Sequence, residues 1–174
     1  IRNVVTRLPE LRFEEPLNWI IEEGQQWAVI GPNGAGKTLI ADVMQRKFAL
    51  KEGEVTFGYE GNVSNLVKSI AFKDIYSLAD CRNSYYQQRW HSTETDEVPT
   101  IEDILNEDAG SEDYHNVLSL FGIEEFLSKK LIFLSSGELR KFLIVRTLLK
   151  RPRVLILDNP FIGLDAPSRG VLVE

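Results

Sequence analysis

The sequence predicts an α/β fold with a mostly parallel sheet, on three observations. A short apolar run, Trp27-Ala-Val-Ile30, leads directly into a glycine-rich loop and then a helical pattern. A long helical stretch occupies about 98–150. A second apolar run, Val154–Leu157, follows it and ends in Asp158. Apolar runs of this length, bounded by turn signals, suit strands buried on both faces. Strand, loop, helix, helical insert and strand, in that order, pack helices against a parallel sheet.

Taken in order, residues 3–30 read as strands that make an antiparallel β part at the N-terminal end. Trp19-Ile20-Ile21 is followed by Glu22-Glu23-Gly24, a turn signal, and Trp19 and Trp27 read as core residues. Thr38–Arg46 has apolar residues at helical spacing. Residues 54–58 and 68–72 read as short strands, with Lys51-Glu52-Gly53 as the turn before them. Residues 74–97 form a polar and aromatic variable region around Tyr85-Tyr-Gln-Gln-Arg-Trp90, and the acidic run Glu94–Glu97 reads as a solvated loop. Pro99, followed by acids in the first turn, opens a helix through Leu105. Residues 113–127 give further helix. Ser135 or Ser136 caps a long helix to about Lys150, where Pro152 breaks it. The whole reads as one domain, with a core of about 1–75 and 151–174, the variable region at about 74–97 and an inserted helical subdomain at about 98–150.

A chain of 174 residues is long enough for one domain with a real core. Its net charge of −6 provides no bulk basic field, so nucleic acid is not an expected partner. The single cysteine, Cys81, excludes an internal disulfide and suits a reducing compartment. No apolar run approaches the roughly 20 residues that a membrane-spanning helix needs, and no signal-peptide pattern is visible. The chain opens on Ile1, its only methionine is Met44, and Glu174 falls inside a starting helix; these read as a fragment of a longer protein with its C-terminal part missing.

The strongest chemical signal is Gly31-Pro32-Asn33-Gly34-Ala35-Gly36-Lys37-Thr38, a full phosphate-loop match between a strand pattern and a helix pattern. The chemistry needs that spacing. Glycines let successive N–H groups turn inward as an anion nest, and the following helix aims its positive end at the phosphates. Lys37 then reaches the β- and γ-phosphates, and the Thr38 hydroxyl ligates Mg²⁺. Asp158, at the C-terminal end of the second strand, is the second candidate Mg²⁺ ligand. No Asn/Thr-Lys-x-Asp guanine-reading motif accompanies the loop, which disfavours a GTPase.

Between these motifs lies Leu134-Ser135-Ser136-Gly137-Glu138, followed by a basic and apolar helix pattern that begins Arg140-Lys141. Together the three motifs resemble the ATP-binding cassette (ABC) ATPases, whose signature is Leu-Ser-Gly-Gly-Gln. The resemblance implies a P-loop NTPase fold and Mg-ATP as ligand. It implies a head-to-tail dimer, with Ser135, Ser136, Gly137 and Glu138 facing the ATP held by a second cassette. It also implies a membrane permease as partner and a cytoplasmic place at the inner face of the membrane. Gly163-Leu164-Asp165 resembles the family's D-loop, with Asp165 at the dimer interface. Gln25–Gly31 and the Tyr-Tyr-Gln-Gln-Arg-Trp stretch are similar to the molybdate-type proteins with two cassettes in one chain.

One residue departs from the family pattern. Asn159 stands where most members carry the glutamate that polarises the attacking water. An asparagine can orient water but cannot take its proton at neutral pH. Loss of a general base costs about 10²–10⁴ in rate. Slow hydrolysis follows as the expectation, with Asn159 in the catalytic position. The family also places a glutamine beside Mg²⁺ and the water; Gln87 and Gln88 are the candidates by position, and Gln88 is the one assigned to the metal and the water. Phe13 is the candidate for stacking on adenine, against a plain core role. His91 and His115 both precede Asp158, so neither matches the family's switch histidine. A regulatory ATP switch that closes with little hydrolysis is the alternative to a transport ATPase.

Overall fold

The computed structural model describes residues 1–11, 13–71, 99–106, 110, 112–161 and 164–172. They fall into two compact units, 1–68 and 69–174.

The first unit is built on an antiparallel ribbon of β1 (Arg2–Thr6) and β2 (Leu50–Glu54), with Arg2 opposite Glu54 and Thr6 opposite Leu50. Gly53 makes the ribbon possible. It sits at φ +82°, and a β-carbon there would run into the backbone carbonyls of Arg2 and Asn3. Lys51-Glu52-Gly53 is therefore strand rather than the expected turn: glycine carries the irregular register without leaving the ladder. Val4 also bridges Leu17. Helix α1 (Lys37–Met44) buries Leu39, Val43 and Met44. Leu39 and Val43, one turn apart, join Val4 and Val55 in a small core, with Phe13, Leu17 and Phe57 packed against it. A one-turn helix α2 (Val63–Leu66) is capped by Asn62.

Trp27–Ile30 is not the buried strand that its composition predicts. Trp27 is 57% exposed and Ile30 90% exposed, and no strand runs beside them among the described residues. A strand buried on both faces needs a hydrogen-bonded neighbour on each side, which apolar composition alone does not supply. The two tryptophans are not core residues either. Their rings meet edge to face at 5.3 Å, and the Trp27 indole N–H donates to Gln25 Oε1 at 3.0 Å.

The second unit is mainly helical. Strand β3 (Val67–Ala71), whose Ile70 belongs to this unit's core, lies next to β4 (Val154–Asp158) although a long helical stretch separates them in sequence. Between them come α3 (Ile101–Leu105), α4 (Tyr114–Phe121), two short 3₁₀ turns, and α5 (Ser136–Leu149). Thr100 caps α3 through a reciprocal box with Asp103. Gly122 ends α4 in the left-handed conformation. Helix α5 is buried on most of its surface, through Leu139, Phe142, Leu143, Ile144, Val145 and Leu149, which makes it the central rod of this unit. The last element is α6 (Ala166–Val171), capped by Asp165.

Candidate nucleotide-binding site

In the first unit the glycine-rich loop is a turn closed by the Ala35 N–H donating to the Pro32 carbonyl at 3.3 Å. Gly34 and Gly36 both sit at φ +85°, a conformation that side chains strain to adopt. That pair of left-handed residues feeds directly into α1. Gly36 is its N-cap and offers no side-chain acceptor, so the first-turn N–H groups of α1 have no side-chain cap. Lys37 bends back over the loop, and its ammonium donates to the carbonyls of Gly31 and Pro32, each at 2.8 Å. Phe13 packs at the base: a β-carbon on Gly36 would lie 3.3 Å from its ring. Gly31, Pro32, Asn33, Gly34, Ala35 and Thr38 lie at the surface of this unit. Free amides on a helix start, with a cation beside them, are what a polyphosphate needs.

In the second unit Ser135 caps α5. Its hydroxyl accepts from the Glu138 N–H at 3.3 Å, and Glu138 Oε2 accepts from the Ser135 N–H at 2.8 Å. Lys129 donates to Glu138 Oε1 at 2.6 Å. That ammonium first, and the Ser135 N–H second, hold the Glu138 carboxyl below the usual glutamate range. A carboxylate with a depressed folded pKa adds stability above its unfolded value and loses it as pH falls through the folded one. The stability difference between wild type and Glu138→Gln should therefore be full above about pH 5 and shrink below about pH 4.3. Thermal melts across that range check it; a difference constant down to pH 3 would contradict it.

Strand β4 ends at Asp158, half-buried, and the chain then turns sharply. Asn159 adopts φ +54°, a left-handed conformation that asparagine tolerates better than most side chains. Its amide donates to Asp158 Oδ1 at 3.1 Å. Its backbone carbonyl accepts from Arg140 Nη1 on α5 at 3.3 Å. Six residues after Asn159, Asp165 accepts from the Ser168 N–H at 2.9 Å and pairs with Lys141 at 2.7 Å. The Lys141 ammonium, then Ser168, hold the Asp165 carboxyl far below the ordinary aspartate range.

The structure thus gathers Gly31–Thr38 in one unit, and Asp158, Asn159 and Asp165 around α5 in the other. Ser135, Ser136, Gly137 and Glu138 form the first turn of that same helix and its cap. Gln87 and Gln88 lie outside the described residues, as do Cys81 and His91. His115 is exposed on α4 and meets the Tyr114 ring edge to face. Among the described residues no group of three or more His, Cys, Asp or Glu could hold a metal by itself. The Thr38 hydroxyl in the first unit and the Asp158 carboxylate in the second are each hard oxygen donors, the ligand type that Mg²⁺ takes. Three residues with a place here had no role assigned from sequence: Lys129, Arg140 and Lys141. A signal existed for Arg140: it lies three and four residues before Leu143 and Ile144, on the apolar side of its helix.

Residues 15–162 match the family model described as ABC transporter. The chain belongs to the ABC transporter family. An uncharacterized ABC transporter ATP-binding protein of Schizosaccharomyces pombe is 32% identical over 158 residues, 85% of this chain and 32% of that protein. The ABC transporter ATP-binding protein ModF of Escherichia coli is 29% identical over 163 residues, 88% of this chain and 31% of that protein. The solved structure of the ATP-binding subunit of an ABC transporter superposes with a TM-score of 0.65 at 24% identity, over 99% of this chain and 70% of that one. That likeness shows the fold, the P-loop NTPase fold of ABC ATP-binding domains. The chain spans about a third of the length of these two curated relatives.

Proposed function

We propose that this chain is the nucleotide-binding half of a transport engine. It binds Mg-ATP on Gly31–Thr38, closes head-to-tail with a second cassette, and hydrolyses the nucleotide slowly to drive a membrane permease. One observation carries the reading: two left-handed glycines deliver a helix start with no side-chain cap, under a lysine ammonium that rests on loop carbonyls. Phosphate oxygens are better acceptors for that ammonium than neutral carbonyls, so binding exchanges weaker bonds for stronger ones.

In this reading Thr38 and Asp158 hold Mg²⁺, which supplies charge neutralisation at the phosphates. Gln88 completes the metal and water shell. Ser135, Ser136, Gly137 and Glu138 meet the γ-phosphate held by the second cassette, and Asp165 lies at the shared interface. The resemblance of Gln25–Gly31 to the molybdate-type proteins supports a parent with two cassettes. No helix among the described residues is long and apolar enough to cross a membrane. In this reading the engine works at the cytoplasmic face of a membrane permease.

Asn159 supports a second reading in which ATP closes the pair and the closed form is the signal. Equilibrium titration and steady-state hydrolysis on the full-length parent separate the two. ATP should bind with magnesium and GTP should not bind more tightly, with hydrolysis that a co-expressed permease accelerates. A parent that binds ATP, closes, and never turns over with any permease would belong to the second reading. Failure to bind ATP would reject both.

A further inference from the structure

We propose that Arg140 is a positioning residue for this site: its buried guanidinium fixes the backbone turn that keeps the Asn159 carboxamide on Asp158. The proposal rests on the nucleotide-site reading above and adds to it the residue that sets the geometry of the water-facing position.

Arg140 is 2% exposed, on a helix whose Leu139, Phe142, Leu143 and Ile144 are buried with it. A guanidinium does not lose its proton, so this is a permanent charge inside an apolar cluster. Removing the partner of a buried charge is strongly destabilising, so the hydrogen bonds of such a group hold their acceptors firmly in place. Its Nη1 donates to the Asn159 carbonyl. That carbonyl belongs to the residue held at φ +54°, one position past the strand end. Returning Asn159 to negative φ would turn the carbonyl away from Arg140 and take the carboxamide off Asp158, so the two hydrogen bonds stand or fall together. The next residue along the helix, Lys141, grips Asp165 at the far end of the same loop. Both ends of the loop are therefore tied to consecutive residues of the helix whose first turn is the signature.

The test uses the full-length parent chain, with single-turnover hydrolysis and equilibrium Mg-ATP binding measured side by side. Arg140→Met should lower the hydrolysis rate constant about tenfold or more, since small misplacements near reacting atoms cost this much or more. ATP affinity should stay within about twofold, because uniform binding is not what the residue supplies. Arg140→Lys, which keeps a buried donor, should recover about threefold of the loss. In an Asn159→Gly background the Arg140→Met change should add less than about twofold, the non-additivity expected of residues that act as a unit. Fully multiplicative effects would overturn the proposal, as would parallel losses of affinity, rate and melting temperature. If Arg140→Met does not fold, Arg140→Lys carries the same cycle. A wild type that hydrolyses ATP and an Arg140→Met variant that matches it sink this inference alone. A wild type that fails to bind ATP sinks the nucleotide-site reading and this inference with it.

Discussion

Lys37→Ala is expected to weaken Mg-ATP binding about 100-fold or more while leaving the fold intact. The ammonium makes two hydrogen bonds at 2.8 Å to Gly31 and Pro32, both in an exposed loop. Their loss from the free protein strands no buried group, so stability should move by no more than about 0.5 kcal/mol. In the proposed bound state the same ammonium would face phosphate oxygens. Each charge-assisted bond to them contributes about 1.5–3 kcal/mol, and every 1.4 kcal/mol is about tenfold in affinity. The rest of the nest, the glycine N–H groups and the start of α1, remains and accounts for residual binding. A fluorescence titration with an ATP analogue, run beside a thermal melt, reads both quantities. Affinity within about threefold of wild type would remove Lys37 from the phosphate site, and with it the observation on which the functional reading stands.

Asn159→Glu is expected to raise ATP turnover by about 10–100-fold, at a cost of about 1 kcal/mol in stability. The gain follows from chemistry: a carboxylate can take the proton of the attacking water, and a carboxamide cannot. The cost follows from the backbone. At φ +54° an asparagine is tolerated, and a longer side chain without its local hydrogen bonding pays about 1–2 kcal/mol for the left-handed region. Part of the full general-base factor should therefore be lost unless Arg140 keeps the turn in place. Steady-state hydrolysis with a chemical-denaturation control measures both sides. Unchanged turnover in a folded variant would mean that another group activates the water, and the slow-hydrolysis expectation would fall. Comparable gains in Asn159→Gly would show that backbone relaxation, not basicity, had been limiting.

The same position shows where sequence reading stops. That Asn159 follows an apolar strand and an aspartate is visible in the order of residues alone. That it is left-handed is not, because the turn is held from Arg140, 19 residues earlier in the chain. The opposite holds for the signature turn. Ser135 and Glu138 are three apart, so their reciprocal cap forms within one turn of α5, and the residues alone narrowed the cap to Ser135 or Ser136. Lys129, nine residues upstream, reaches Glu138 only because the chain between them folds back through a 3₁₀ turn.

Strand prediction divided along the same line. Val154–Asp158 is a strand beside β3, whereas Trp27–Ile30, equally apolar, has no neighbouring strand among the described residues and lies exposed. Ribbon β1–β2 extends through Gly53, where composition suggested a turn, since only a residue without a side chain fits against the carbonyls of Arg2 and Asn3. By itself the sequence determined what depends on neighbours within about one helical turn: the glycine-rich loop before a helix, a serine cap at the start of α5, and the aspartate at a strand end. Only the tertiary structure decided which apolar run gained a sheet partner, and that Arg140 is buried against Asn159 while Lys141 pairs with Asp165. Those pairings close long loops, and the free energy that selects them comes from packing the whole core around α5, which no local pattern records.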